Sequence, residues 1–131
     1  MANNFLKLSF LLGALVVALG AFGAHALKEM VDEKAIHTYQ TGVLYHFFHV
    51  FALAIAGLLA RQNTVNWFTR AGYLFIAGII LFSGSLYTMT FFKAAAIENM
   101  NWIGAITPLG GVSFIAGWFC LFLGVNKLPR S

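Results

Sequence analysis

The chain is short of charge. Asp, Glu, Lys and Arg make up 9% of it, against about 25% in an ordinary soluble domain. Acids are scarcest, with only Glu29, Asp32, Glu33 and Glu98 present. Four long runs, Leu8 to Leu27, Ala35 to Ala60, Ala71 to Phe92 and Asn99 to Asn126, contain no charged residue at all. No carboxylate pair therefore lies within a run, and the chain also lacks a His-Glu-x-x-His zinc site, a phosphate loop and a Ser or Cys nucleophile elbow. These absences set enzyme chemistry aside. Cys120 is the single cysteine, which excludes an internal disulfide and reads as a small apolar core residue.

Apolar residues take the place of charge, at 60% of the chain with a mean hydropathy of +0.82. Each uncharged run approaches or exceeds the roughly 20 residues that a helix needs to cross a bilayer core. The expected fold is all-α: an integral membrane four-helix bundle of antiparallel up-down topology, forming one transmembrane domain over residues 1–131. The expected spans are 6–27, 36–60, 68–92 and 102–126. Lys7, Arg61, Arg70, Lys127 and Arg130 then lie on one side and Lys28, Lys34 and Lys93 on the other, which places both termini in the cytoplasm. The net charge of +4 is spread over span ends and forms no basic stripe, so the expected partner is the lipid bilayer and not nucleic acid.

Lys7, an apolar run and Ala24-His25-Ala26 resemble a signal peptide with its cleavage site. The first span nevertheless divides by size, with Leu8, Leu11, Leu15, Leu19 and Phe22 on one side and Gly13, Ala14, Ala18, Gly20, Ala21 and Ala24 on the other. A cleaved signal has no need of that order. A retained helix that packs through its small side is the reading. Asp32 suits a cap for the second helix, and Trp67 and Phe68 suit an interfacial belt. Pro108 either opens the fourth helix or bends it. The glycines expected at helix contacts are Gly13, Gly20, Gly23, Gly42, Gly84, Gly110, Gly117 and Gly124, the last three belonging to a seam with Ser113 and Cys120.

The second span carries the most polar stretch within any span. At about 100° per residue, Thr38, Tyr39, Gly42, Tyr45, His46 and His49 fall within an arc of roughly 120°. Polar groups in a bilayer turn toward protein or water, so this face is expected to point at the other helices. In the third span Ser83, Tyr87 and Thr90 share a face, while Ser85 and Thr88 have the local option of bonding back to their own helix. With Thr107 on the fourth span and His25 on the first, polar groups from all four helices meet in the non-cytoplasmic half. Two readings stand there: a hydrogen-bond network that fixes helix register, which is preferred, and a metal or haem site built on the histidines. No metal or cofactor is assigned.

Gly20-Ala21-Phe22-Gly23-Ala24-His25, then Gln40-Thr41-Gly42 with Tyr45 and His49, Leu81-Phe82-Ser83-Gly84-Ser85-Leu86-Tyr87, and Thr107-Pro108-Leu109-Gly110-Gly111-Val112-Ser113-Phe114 occur in this order. Together they resemble the YgdD/YwdK-like family of small integral membrane proteins of bacterial inner membranes, a domain of unknown function. The resemblance covers nearly the whole chain and implies four membrane helices without an established activity. His46 stands where the family pattern commonly has glutamine, which weakens any mechanism that needs it as a ligand. The candidate network or ligand residues are therefore His25, Tyr45, His49, Ser83, Tyr87 and Thr107. The expected function is that of a non-enzymatic accessory or assembly protein, partnered by its own copies or by another membrane protein. The alternatives are a binder of a small apolar ligand or cofactor (quinone, haem or lipid) and, more weakly, an oligomeric channel for a small solute.

Overall fold

The computed structural model describes residues 1–129, so Arg130, one of the basic residues counted above, lies outside the described residues. Helix α1 is Ala2–Ala24, followed by a 3-10 turn at Leu27–Glu29. Helix α2 is Glu33–Gln62 and opens on Asp32, whose Oδ1 accepts a hydrogen bond of 2.8 Å from the Ala35 amide. That bond satisfies one of the free N–H groups of the first turn. Helix α3, Asn66–Gly78, continues through a π-helical segment, Ile79–Ser83, into α4, Gly84–Ala94. A 3-10 segment at Asn101–Ala105 leads into α5, Thr107–Val125. Grouped as spans, these are four helices long and apolar enough to cross a membrane: Ala2–Glu29, Glu33–Gln62, Asn66–Ala94 and Asn101–Val125. The described residues contain no strand.

Two details differ from the sequence expectation. The third span is not one regular α-helix, because the π segment widens it by a residue at its centre. The fourth span winds as a 3-10 helix before Thr107, so its α-helix starts later than residue 102. Pro108 lies in the first turn of α5, where its missing N–H costs nothing, and it does not bend the helix.

The second and third spans form the middle of the molecule, α1 packing on α2 and α5 on α3. The contact between α3 and α5 follows a seven-residue rule. A side-chain carbon at Gly110 would collide with the backbone of Phe82, one at Gly117 with the Phe75 ring at 2.6 Å, and one at Gly124 with the Phe68 ring. Phe114 of α5 fits against Gly78 in return. The rings of Phe68 and Phe75 thus enter two glycine notches of the fourth span and the Phe82 backbone presses into a third, in antiparallel register. Lipid tails are as apolar as the side chains, so such close fitting, and not the hydrophobic effect, holds membrane helices together.

Helix α1 uses glycine too, more loosely. Gly13 faces Val50 at 3.5 Å and Gly20 faces Val43 at 3.6 Å, while Gly23 is crossed closely by the Tyr39 ring. The packing side of α1 nevertheless differs from the one expected. Phe5, Ser9, Val16 and Gly23 are buried, whereas Ala14, Ala18, Ala21 and Ala24 are exposed beside Leu11, Leu15 and Phe22. Small size alone does not separate the glycines from the alanines, which lie around the helix from them. Gly84 also departs from expectation. The nearest atom to a side chain there is Ile79 O at 3.8 Å, within its own π turn, so this glycine packs against no other helix.

Candidate functional site

Ala35, Tyr39, Gly42, His46, His49, Leu53 and Ala56 are buried along α2. Their alternating spacing of three and four residues is that of a helix seam facing neighbours. Tyr45 falls one position outside this seam and is 41% exposed. The seam therefore selects His46, at 2% exposure, where the sequence reading prefers Tyr45.

The polar atoms of the seam close four interhelical bonds of 3.1 Å or less, besides a longer one of 3.5 Å from Thr90 Oγ1 to Ala35 O. Tyr39 Oη donates to Leu19 O of α1 at 2.7 Å. Ser83 Oγ donates to Gly42 O at 2.7 Å. His46 Nδ1 and Tyr87 Oη are 3.0 Å apart. Trp118 Nε1 of α5 donates to His49 Nε2 at 3.1 Å. Two further bonds tie the third span to the fourth: Ser85 Oγ lies 2.7 Å from Thr107 Oγ1, and Ser113 Oγ donates to Leu74 O at 2.8 Å. Aromatic rings fill the space between, with Tyr39 and Tyr87 at 5.2 Å and the His49 ring stacked on Phe114 at 3.5 Å.

These bonds decide the state of His49. An indole N–H only donates, so Nε2 of His49 must accept. Its proton is then on Nδ1, which donates to Tyr45 O at 2.7 Å. Both ring nitrogens are engaged in a neutral imidazole, and the lone pair that a metal would need is already used. His46 is different. Tyr87 engages Nδ1, while Nε2 is buried without a hydrogen-bond partner. Whichever atom carries the proton, one nitrogen of this ring is unsatisfied, at a cost of about 1–3 kcal/mol.

The sequence-selected residues divide accordingly. His49, Ser83, Tyr87 and Thr107 each bond across helices, as described. His25 does not join them: it is the exposed residue that ends α1, with its amide bonded to Phe22 O. Tyr45 contributes its ring, 4.5 Å from Phe82, and its carbonyl, but its hydroxyl has no partner among the described residues. Trp118 escapes the sequence reading, because an aromatic residue in a span reads as lipid-facing; its spacing from Phe114 and Gly117 is the available signal. Ser85 and Thr88 do bond back to Phe82 O and Gly84 O in their own helix, Ser85 while also meeting Thr107. No group of three His, Cys, Asp or Glu side chains gathers among the described residues.

Comparison with known proteins places this arrangement. The family profile described as "Protein of unknown function (DUF423)" matches residues 19–111. The chain belongs to the DUF423 family. Among relatives, the UPF0382 membrane protein YwdK of Bacillus subtilis is 40% identical over 127 residues, covering 93% of this chain and 98% of that protein. A UPF0382 membrane protein of Haemophilus influenzae is 42% identical, covering 97% of each. The UPF0382 inner membrane protein YgdD of Escherichia coli is 40% identical over 90% of this chain and 86% of its own. No solved structure matches. Within this DUF423 member, the matched segment runs from Leu19, which accepts the Tyr39 hydroxyl, past Thr107, which meets Ser85. It includes the His46–Tyr87 and Ser83–Gly42 bonds and stops short of Ser113 and Trp118.

Proposed function

We propose that this DUF423 membrane protein is a non-enzymatic accessory or assembly protein of the bacterial inner membrane, with its polar interior serving as a lock on helix register. The observation that carries the reading is that the polar side chains of the seam bond to one another or to neighbouring backbone. Tyr39, His49, Ser83 and Tyr87 are each spent on a bond to another helix. Groups committed in this way hold helices and are poorly placed to turn over a substrate. The outward faces of α1 and α5, with Phe10, Leu11 and Val17 on one and Ile115, Phe119 and Phe122 on the other, are what such a protein offers to a neighbour or to lipid. Purification in mild detergent tests the reading. A stoichiometric membrane-protein partner or a defined homo-oligomer supports it, and a clean monomer at every detergent concentration contradicts it.

A second reading has one observation in its favour. An open groove of about 490 Å³ is walled by Tyr45, Phe48, His49 and Trp118. Its aromatic walls suit a flat apolar molecule such as a quinone. Co-purification of such a molecule, lost in Tyr45→Ala with helical content intact, would favour this reading over the first.

A further inference from the structure

A second concavity, of about 530 Å³, lies at the rim opposite the termini, between the start of α2, the end of α4 and the 95–101 connection. Lys34 and Lys93 line it from the two helices, and Glu98 and Asn101 from the connection, with Met89 and Ile97 among its apolar lining. Lys93 is partly committed, since its Nζ binds Asp32 Oδ2 at 2.6 Å. That is the only ion pair among the described residues. Lys34 and Glu98 therefore line one cavity, carry opposite charges and do not pair with each other. An ammonium has three donors and a carboxylate accepts at two oxygens, so a cation and an anion held apart match a guest that carries both charges.

The connection is held in place by its own backbone. Helix α4 ends in a Schellman motif, in which the Ile97 amide bonds to Phe92 O at 2.9 Å and the Ala96 amide to Lys93 O at 3.1 Å. Ala96 takes a left-handed φ of 56°, a conformation that usually falls to glycine. Glu98 and Asn101 thus leave a defined turn.

We propose that this cavity takes the headgroup of a phospholipid bearing both a phosphate and a primary ammonium. Lys34, with the remaining donors of Lys93, meets the phosphate through charge-assisted bonds. Glu98 accepts from the ammonium, and Met89 and Ile97 meet the glycerol and the start of the acyl chains. The cavity lies at the end of the spans, where headgroups are found, and basic side chains between membrane helices meet headgroup phosphates in this way. A choline headgroup has no N–H to donate to Glu98, and a glycerol headgroup has no cation.

The test is native mass spectrometry of the delipidated full-length protein in detergent, offered phosphatidylethanolamine, phosphatidylcholine and phosphatidylglycerol with identical acyl chains. We expect phosphatidylethanolamine to be retained about tenfold over the other two, the worth of one charge-assisted hydrogen bond. Glu98→Gln should abolish the preference over phosphatidylglycerol, and Lys34→Ala should weaken all three lipids. Both positions are exposed, and circular dichroism checks that each variant remains folded. Equal retention of the three lipids, or an unchanged preference in Glu98→Gln, overturns the proposal. Soluble glycerophosphoethanolamine at the same concentration should leave the lipid bound; displacement would assign the cavity to a water-borne ligand and overturn the lipid assignment.

Discussion

The ring of Phe75 occupies the space that a side chain at Gly117 would fill, its Cε1 lying 2.6 Å from where that first carbon would be. One heptad away the Phe68 ring stands in the same relation to Gly124, and one heptad the other way the Phe82 backbone fills the space at Gly110. Phe75 and Phe68 are wholly buried, so neither ring has room to retreat.

Gly117→Ala should therefore overpack this contact and destabilise the protein by about 1–3 kcal/mol. Gly13→Ala, inside α1 with its neighbour at an ordinary 3.5 Å, should instead leave stability unchanged or raise it by up to about 1 kcal/mol. Cys120 is buried at 8% exposure and is the one thiol, so its modification rate by a maleimide dye during heating reports both variants without a further label.

Tyr45→Phe separates the two functional readings. The lost hydroxyl has no partner among the described residues, and the ring stays to pack on Phe82. A locking role for the cluster therefore expects stability within about 0.5 kcal/mol of the parent. A ligand-binding role expects loss of the co-purified molecule in the same variant.

At the rim, Asp32 gives the protein an acid-sensitive contact. The Lys93 ammonium bonded to it, then the Ala35 amide, hold its carboxyl below the ordinary value of 3.8. A carboxylate whose folded value is depressed stabilises fully above the unfolded value and loses that contribution as pH falls through the folded one. Thermal stability should thus show a decline below about pH 4 that is smaller in Asp32→Asn. The difference should shrink in 1 M salt, because both partners are exposed and screened.

Ala96→Gly should stabilise the protein by about 0.5–1 kcal/mol, since the left-handed conformation at φ 56° strains alanine and not glycine. A lower melting temperature in this variant would contradict the Schellman reading of the α4 end.

Much of this fold is legible because the bilayer imposes a coarse code. Four uncharged runs require four helices, and Asp32 caps α2 as its chemistry indicates. The α5 seam is legible from Gly110, Gly117 and Gly124, but its partners are not picked out, although Phe68, Phe75 and Phe82 repeat at the same interval. The π segment at Ile79–Ser83 leaves no mark in composition. It carries Phe82, whose backbone meets Gly110, and Ser83, which reaches Gly42.

The site is harder to read than the fold. A helical arc of roughly 120° contains both Tyr45 and His46, and only the rotation of α2 against its neighbours decides between them. That rotation buries Gly42 against Tyr87, where a side chain would approach the ring to 3.0 Å, and turns His46 inward. The resemblance weighs against His46 as a ligand, because glutamine is common there in the family pattern. A bond to Tyr87 is open to either side chain, so the departure is compatible with a structural role.

The most direct test of that role is a double-mutant cycle on His46 and Tyr87, measured as unfolding free energy in detergent for His46→Leu, Tyr87→Phe and the pair. Interhelical bonds in membranes average about 0.6 kcal/mol and reach about 1.7 kcal/mol, and a lock places the coupling energy in that range. The His46→Leu protein should also be less stable than His46→Gln, which keeps a partner for Tyr87. Additive effects within about 0.3 kcal/mol would mean that the 3.0 Å contact between the two residues does not hold the helices, and would contradict the account.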